Sequence, residues 1–204
     1  MKIEDYKEFG QKCGIPIRTA NYSTEDGTFN SDNEYLTIIN TARVKRLDLL
    51  EYYDSRKNIL DIERSTLFLL AEELQKFKKE KGLKDFTDLL EDFIEKSLPG
   101  SLEVLFIDEA QDLSLIQWEM VRHLWKHAKK TYIAGDDDQA IFKWAGADVD
   151  HFIALKEEVN DIKVLDQSYR IPGGPIHELS QKIINKVQNR FQKEYKPRDE
   201  IGLL

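Results

Sequence analysis

Two adjacent carboxylates follow a short apolar run in LEVLFIDEAQDLS, residues 102–114: Asp108 and Glu109 come directly after the apolar residues 104–107. Such a run is typical of a strand buried on both faces of a parallel sheet. A carboxylate at a strand end can hold Mg²⁺ while phosphate oxygens supply other ligands, and a second carboxylate can deprotonate an attacking water. The pair therefore predicts Asp108 as a metal ligand and Glu109 as a base. The alternative interpretation is that Asp108 and Glu109 form the first turn of a helix, where the helix dipole stabilises negative charge.

Two more apolar runs also end in polar residues. Residues 131–134 lead into GDDDQ at 135–139, and residues 162–165 lead into QSYR at 167–170. Ligands of parallel α/β sheets bind beyond the carboxyl ends of the strands. We therefore expect the polar residues that follow all three runs to converge on one ligand site.

Gln139 and Arg170 are the side chains of these motifs that suit a phosphate group best. A neutral amide can donate to a terminal phosphate oxygen and accept from the attacking water, which predicts a sensing role for Gln139. The fixed charge of Arg170 can stabilise a transferring phosphoryl group, as an arginine finger does. The alternatives are an Asp-rich turn that caps the next helix and a surface arginine in a loop.

Aromatic residues lie between the second and third motifs, in AIFKWAGAD at 140–148. Phe142 and Trp144 are two positions apart, so both rings face the same way if the segment is extended. Unpaired bases can stack on such rings, at about 1–3 kcal/mol per base. Lys143 lies between the two rings. The alternative is ordinary packing of aromatic side chains in a core.

The elements that must position these residues differ between the two halves of the chain. Residues 1–82 have apolar side chains at helical spacing, interrupted by one polar loop at 21–34. Later, short apolar runs alternate with helical segments, and this order predicts an α/β fold with a parallel sheet and crossover helices. The predicted helices cover part of 1–20, then 35–57, 58–81, 84–97, 114–127 and 148–158, and a last one starts at Pro175 and runs to Phe191.

The composition suits a soluble globular protein with a highly charged surface. The chain has 204 residues, of which 41% are hydrophobic and 33% charged, and its net charge is −8. This acidity counts against wholesale electrostatic binding of nucleic acid, although basic clusters such as 76–84 can form local patches.

We expect no membrane segment and no secretory signal, because no apolar run reaches about 18 residues and the N-terminus is acidic. The single cysteine, Cys13, excludes an internal disulfide and favours a reducing compartment.

The motifs DEAQD, GDDDQAIFKWAGAD and QSYR, in this order and spacing, resemble those of superfamily 1 DNA helicases of the UvrD/Rep type. The similarity is closest to bacteriophage-like members. KDFTDLLEDF at 84–93 resembles the segment that precedes the DE box in that family, and RFQKEYKPRDEIG at 190–202 resembles the stretch after the arginine motif. The resemblance is good over about 84–202, whereas the first 80 residues match only in being helical.

The resemblance implies three parts of the chain and a cofactor. Residues 1–82 would be a helical accessory subdomain, 83–165 the later half of a first RecA-like motor domain, and 166–204 the start of a second. The fold would then be a partial RecA-like parallel sheet preceded by helices. Mg²⁺ and ATP would serve the complete protein, single-stranded DNA would be its partner, and the location would be the cytoplasm of a bacterial cell or phage-infected host.

The resemblance also assigns roles to single residues. Asp108 would bind Mg²⁺, Glu109 would be the catalytic base, Gln139 would sense the γ-phosphate, and Arg170 would reach across the interdomain cleft. The residues implied for contact with single-stranded DNA are Phe142, Lys143 and Trp144.

Three departures from the family pattern matter. Ala145 replaces the arginine of the W-R-G-A motif, so coupling between ATP and DNA is expected to differ, and Gly173 and Gly174 replace hydroxyl residues common after the arginine motif. The 204 residues also contain no G-x-x-x-x-G-K-[ST], the loop whose amides and lysine cradle phosphates. We therefore expect an internal fragment of a helicase, with little or no ATPase activity alone.

Other interpretations stay open at this point. The chain can be a non-enzymatic module that binds DNA or a partner, or half of a split helicase whose P-loop chain is supplied in trans. A Mg²⁺-dependent nuclease built from Asp108, Glu109 and the carboxylates of 136–138 is a third. A sheet without its P-loop strand would expose an edge, which predicts self-association.

Overall fold

The computed structural model describes residues 1–23, 28–59 and 61–201, with side chains except at Trp144, Ala145 and Ile201. Helices dominate up to residue 96, and short parallel sheets follow, so the α/β class with a helical N-terminal region is confirmed. In chain order the elements are α1 (Ile3–Cys13), β1 (Ala20–Tyr22), β2 (Phe29–Ser31), α2 (Glu34–Val44), α3 (Leu49–Arg56), α4 (Arg64–Lys81), α5 (Phe86–Lys96), β3 (Leu102–Ile107), α6 (Leu115–Trp125), β4 (Ala128–Ile133), α7 (Val149–Ala154), β5 (Gln167–Gly173), α8 (Pro175–Ile184) and β6 (Lys196–Ile201).

The helical region packs around one face of α4. Its buried side chains recur at helical spacing, and Phe77 contacts Phe9 of α1 with ring centroids 5.7 Å apart. Gly82 ends the helix in the left-handed conformation, with φ of 63°, where a side chain is disfavoured. The buried residues of α4 that form this face are Leu67, Leu70, Leu74, Phe77 and Lys78.

The predicted single helix over 35–57 is wrong, because the structure contains two helices there. α2 ends at Val44, and Asp48 caps α3 by accepting from the backbone N–H of Leu50 and Glu51. An aspartate at this position satisfies amides that a new helix leaves unpaired. Asp48 is therefore the residue in the sequence that indicates a new helix, which the spacing of the apolar residues does not show.

The predicted loop at 21–34 is also wrong in part. β1 and β2 pair antiparallel within it, with Ala20 opposite Ser31. The rings of Tyr22 and Phe29 pack with centroids 5.0 Å apart. Contacts between residues on opposite strands stabilise this hairpin, and they are invisible to a search for periodicity along the chain.

A buried ionic network fixes the helical region to α5, which leads into β3. Lys78 is 3% exposed, and its Nζ lies 2.9 Å from Asp85 and 2.7 Å from Asp88. Arg43 of α2 reaches the same two carboxylates and Glu91. Burial would raise the pKa of Asp85, but Arg43 and Lys78 hold it below its ordinary value. Three helices, α2, α4 and α5, are thus joined by charge as well as by apolar packing.

β3 and β4 form a parallel pair joined by α6, with Ile107 opposite Ile133. One face of this pair packs on Trp118 and its apolar neighbours. The other face is open, because Phe106 is 73% exposed and stacks on Tyr132 at 5.1 Å. The prediction of a strand buried on both faces is therefore wrong: within the described part of the chain, nothing covers this second face.

The predicted strand at 162–165 is wrong. These residues make no strand, and Leu165 is 87% exposed. β5 starts at Gln167 instead and pairs parallel with β6, in a sheet separate from β3 and β4. The QSYR motif thus lies within a strand rather than beyond the end of one. The apolar content of a run does not ensure a strand, because a strand also needs a neighbour for its hydrogen bonds.

α8 begins at Pro175, as predicted, and ends at Ile184 rather than extending to Phe191. Gly174 precedes it with φ of 92°, a conformation that favours glycine. The glycine found here in place of a hydroxyl residue therefore suits the turn from β5 into α8. No helix among the described residues is both long and apolar enough to cross a membrane.

Candidate nucleotide and DNA site

The ends of β3 and β4 lie side by side, as the sequence predicts for the first two motifs. The backbone N–H of Ala134 donates to the Ile107 carbonyl at 2.8 Å, and that of Ala110 donates to the Ala134 carbonyl at 2.9 Å. These two bonds continue the hydrogen-bonding between β3 and β4 beyond the last residue of each strand. The DEAQD and GDDDQ motifs consequently start from neighbouring backbone positions.

Asp108 and Glu109 both lie exposed just beyond β3. Glu109 has φ of 49° and ψ of 40°, the left-handed region that residues other than glycine seldom adopt. This conformation turns the chain into the 3₁₀ turn Ala110–Asp112. Asp108 Oδ1 accepts from the Glu109 backbone N–H at 3.0 Å, while the exposed carboxylate still faces solvent. Both carboxylates are therefore accessible to a ligand at the strand end.

Gln111 connects the two motifs, and sequence reasoning gave it no role. Its side chain is 1% exposed. Nε2 donates to Glu109 Oε2 at 2.9 Å and to Asp112 Oδ2 at 3.1 Å, and Oε1 accepts from the backbone N–H of Asp136 at 2.9 Å. Only a side-chain amide supplies both a donor and an acceptor in this shape. The signal in the sequence was a glutamine two residues after the carboxylate pair.

Gly135 makes room for this bridge. A Cβ at this position would lie 2.7 Å from Gln111 Oε1 and 2.8 Å from a ring carbon of Phe152. Both distances are shorter than real carbon contacts allow. The glycine of GDDDQ is therefore required by close approach and not by a turn.

The three carboxylates of 136–138 are paired with residues that follow α8. Arg190 donates to Asp138 at 2.8 and 2.6 Å, and both side chains are nearly buried. Lys193 lies 2.7 Å from Asp136 and also pairs with Asp137. Because cations occupy these carboxylates, they form no acidic cluster open to a metal ion.

Asp136 has the most partners of the three. Besides Lys193, its carboxylate accepts from the Tyr195 hydroxyl at 2.8 Å and from Gln139 Nε2 at 2.6 Å. Burial would raise the pKa of Asp136, but hydrogen bonds from Lys193, Gln139 and Tyr195 lower it below its ordinary value. Burial and the bond to Asp136 raise the pKa of Tyr195 to about 12.

Gln139 and Arg170 are not brought together. Gln139 is exposed at the end of the 3₁₀ turn Asp137–Gln139. Arg170 is exposed on β5, in the other sheet, and its guanidinium makes no hydrogen bond or ion pair with any residue that the structure describes. The expected convergence of three strand ends therefore holds for two motifs and is wrong for the third.

The aromatic segment is not extended. Phe142–Ala145 forms a 3₁₀ turn, so the condition under which Phe142 and Trp144 face the same way is not met. Phe142 is half-buried and lines a small cavity with Val44 and Phe86. Lys143 is exposed, with Nζ 3.7 Å from Asp150. The Trp144 side chain lies outside what the structure describes.

The donors present suit Mg²⁺ bound mainly through water and phosphate. No group of three or more histidine, cysteine or acidic side chains in the described ranges is arranged to hold a metal. Asp108 offers exposed hard oxygens at the strand end, beside the exposed carboxylate of Glu109. Mg²⁺ commonly binds proteins through one or two carboxylates and keeps several waters, so this set fits.

Comparison with protein families identifies the group to which this arrangement belongs. The model of the UvrD/REP helicase N-terminal domain matches residues 4–160. The chain belongs to the UvrD/REP helicase family. The match includes DEAQD, GDDDQ and the helical region, and it ends before QSYR.

Several curated proteins are similar to this UvrD/REP chain, and two of the three described next carry helicase names. A probable DNA helicase II homolog of Rickettsia conorii is 32% identical over 136 residues, 61% of this chain and 21% of that protein. The ATP-dependent DNA helicase Rep of Escherichia coli K12 is 33% identical over 82 residues, 39% of this chain and 12% of Rep. The RecBCD enzyme subunit RecB of Buchnera aphidicola is 32% identical over 130 residues, 57% of this chain and 11% of RecB. The chain thus spans between about a tenth and a fifth of the length of these relatives.

Proposed function

We propose that this UvrD/REP chain carries the metal-and-water side of the ATP-hydrolysis site of a translocase on single-stranded DNA. The observation that carries the proposal is the Gln111 bridge, which joins Glu109 to the backbone of Asp136. That bridge holds a carboxylate pair and the turn ending at Gln139 at the same edge of a sheet. If the carboxylates only formed the acidic first turn of a helix or a turn that caps one, no buried hydrogen bond between the two motifs would be needed.

Each residue at this edge has a role that its position allows. Asp108 holds Mg²⁺ through its exposed oxygen, and Glu109 orients a water and takes its proton. When bound, Mg²⁺ would neutralise charge on the phosphates. Gln139 lies one hydrogen bond from Asp136 and is exposed, so its amide is accessible to a terminal phosphate.

Arg170 is proposed as an arginine finger that acts from a second structural unit. We divide the chain at residues 1–82, 83–165 and 166–204, with the last range starting a second motor domain. The separate β5 and β6 sheet and the unpaired, exposed guanidinium within the described residues support this assignment. Arg170 can contact a phosphoryl group only if the two units approach each other, and such closure is how a finger links hydrolysis to movement.

Single-stranded DNA is the proposed partner of the segment around Phe142, Lys143 and Trp144. An exposed lysine and an adjoining aromatic ring suit a phosphate and a stacked base, respectively. Ala145 at the position of the family arginine predicts coupling between nucleotide and DNA that is weaker or differently arranged than in the family.

We infer that the phosphate cradle comes from residues other than these 204, which contain no G-x-x-x-x-G-K-[ST] sequence. A P-loop polypeptide supplied in trans is one source. The second candidate, a Mg²⁺-dependent nuclease, loses its carboxylate cluster, since Arg190 and Lys193 occupy residues 136–138.

The test is DNA-stimulated ATP hydrolysis by this chain alone and after mixing with a polypeptide that carries the P-loop of a family member. We expect no hydrolysis alone and hydrolysis in the mixture, reduced about 100-fold or more by Glu109→Gln. Glu103→Gln, an exposed change on β3, is the matched control and should leave the rate unchanged. Hydrolysis that survives Glu109→Gln would overturn the role of Glu109. Mg²⁺-dependent DNA cleavage without ATP would establish the nuclease instead.

A further inference from the structure

Residues 190–195, here called the 190–195 segment, lie against the turn that carries Gln139. Arg190, Lys193 and Tyr195 all donate to carboxylates of that turn. The backbone N–H of Phe191 also donates to Asp137, at 2.7 Å. The segment connects α8 to β6, so the contact joins the region after β5 to the end of β4.

The carboxylate of Asp136 is the point at which this contact reaches Gln139. Its Oδ2 accepts from Gln139 Nε2 at 2.6 Å and from the Tyr195 hydroxyl at 2.8 Å. Its Oδ1 accepts from Lys193 Nζ at 2.7 Å and from the Asp138 backbone N–H at 3.2 Å. An oxygen with two lone pairs can hold both donors, so Gln139 and Tyr195 share Oδ2 without competing.

A purely structural role would not require all of these bonds. The Arg190 pair with Asp138 already anchors the segment, with side chains 2% and 8% exposed. Asp138 makes no side-chain bond to Gln139, whereas Asp136 does. Lys193 also pairs with Asp137, but its bond to Asp136 and that of Tyr195 differ from the Arg190 pair in one respect: they contact the carboxylate that holds the Gln139 amide.

We propose that Lys193 and Tyr195 are positioning residues for Gln139, acting through Asp136. They hold the Asp136 carboxylate in the rotamer whose Oδ2 receives the amide. This inference rests on the proposed function, in which Gln139 senses a phosphate. It follows that undocking of the 190–195 segment leaves the Asp136 carboxylate less restrained, so a movement after β5 reaches Gln139 through Asp136.

The decisive measurement is the NMR signal of the Gln139 side-chain NH₂ in this chain, assigned by its loss in Gln139→Ala. Tyr195→Phe removes one oxygen and leaves the ring. We expect it to shift the Gln139 signal and lower its heteronuclear NOE, because Asp136 gains rotational freedom. Tyr169→Phe is the matched control, since Tyr169 is 83% exposed, and it should leave the signal unchanged.

Lys193→Met is the second variant and should shift the same signal further. A Gln139 signal that is identical in the wild type and in folded Tyr195→Phe overturns the proposal, whatever Lys193→Met does. The measurement needs no nucleotide, so a chain that fails to support hydrolysis does not affect it. If Tyr195→Phe moves Gln139 but hydrolysis in the mixture with a P-loop polypeptide is unchanged by Gln139→Ala, the positioning stands and the sensing role of Gln139 falls.

Discussion

The side-chain oxygen of Gln111 accepts a hydrogen bond from the backbone N–H of Asp136, 2.9 Å away, although 25 positions separate the two residues. Through its amide nitrogen the same side chain contacts Glu109. Glu109, just beyond the end of β3, and the turn that carries Gln139, just beyond the end of β4, are thus held together by one buried amide.

Gln111→Ala should destabilise the fold, because it leaves the partly buried Asp136 N–H without its partner. We expect a loss of about 1–3 kcal/mol in the free energy of unfolding, measured by urea denaturation. Gln192→Ala, at an exposed position, is the control and should stay within about 0.5 kcal/mol of wild type. Equal midpoints for the two variants would show that the bridge contributes nothing.

Gly135→Ala should destabilise by about 1–3 kcal/mol, because the added methyl overlaps both Gln111 and Phe152. The measurement is the shift of the urea midpoint. Gly100→Ala provides the comparison, since a Cβ there meets nothing within 4 Å. If the two substitutions cost the same, overlap with Gln111 and Phe152 is not the cause of the loss.

Asp136 should make stability fall in acid. The pKa of Asp136 in the folded protein lies below its ordinary value of 3.8. The ionised carboxylate therefore stabilises the fold fully above pH 3.8, and this stabilisation disappears as the pH falls through the lower pKa of the folded state. Unfolding free energies between about pH 6 and 2.5 should therefore depend less on pH in Asp136→Asn than in wild type. Asp161→Asn, an exposed aspartate, should keep the wild-type slope. Parallel curves for wild type and Asp136→Asn would refute the role of this carboxylate.

Lys78→Met should lower the free energy of unfolding by about 3–5 kcal/mol. The substitution removes a buried positive charge that pairs with the carboxylates of Asp85 and Asp88. Thermal or urea unfolding measures this loss. Lys79→Met, the next residue on the exposed face of α4, should change stability little. A small effect of Lys78→Met would mean that Arg43 alone compensates both carboxylates.

Self-association is expected from the sequence through an exposed sheet edge, and the open face of the β3 and β4 pair offers a further surface for it. Phe106 and Tyr132 stack there and are 73% and 54% exposed. Sedimentation velocity should show a size that increases with concentration, and less so in Phe106→Ser. Leu98→Ser, 91% exposed outside this sheet, is the control. A monomer at all concentrations would contradict the prediction.

Much of the architecture was determined by the sequence through local chemistry. The apolar spacing in α4 and α5 sets which face of each helix is buried, because side chains three and four apart share a face. Gly82 and Pro175 mark a helix end and a helix start through backbone preferences of their own. The backbone N–H of Ser114 donates to the Gln117 side chain at 2.8 Å, as a capping box requires. The order of DEAQD and GDDDQ likewise predicted neighbouring strand ends, which the structure contains.

Contacts between distant residues decided the rest. The run at 162–165 looks like a strand, yet no neighbour in the described chain offers it a hydrogen-bonded ladder, whereas the polar QSYR segment pairs with β6. The burial of Gln111 and the docking of the 190–195 segment depend on partners 25 to 59 positions away. Local sequence sets backbone preference and the direction of side chains, but only the folded chain determines which polar groups meet, because each such bond depends on the position of both partners.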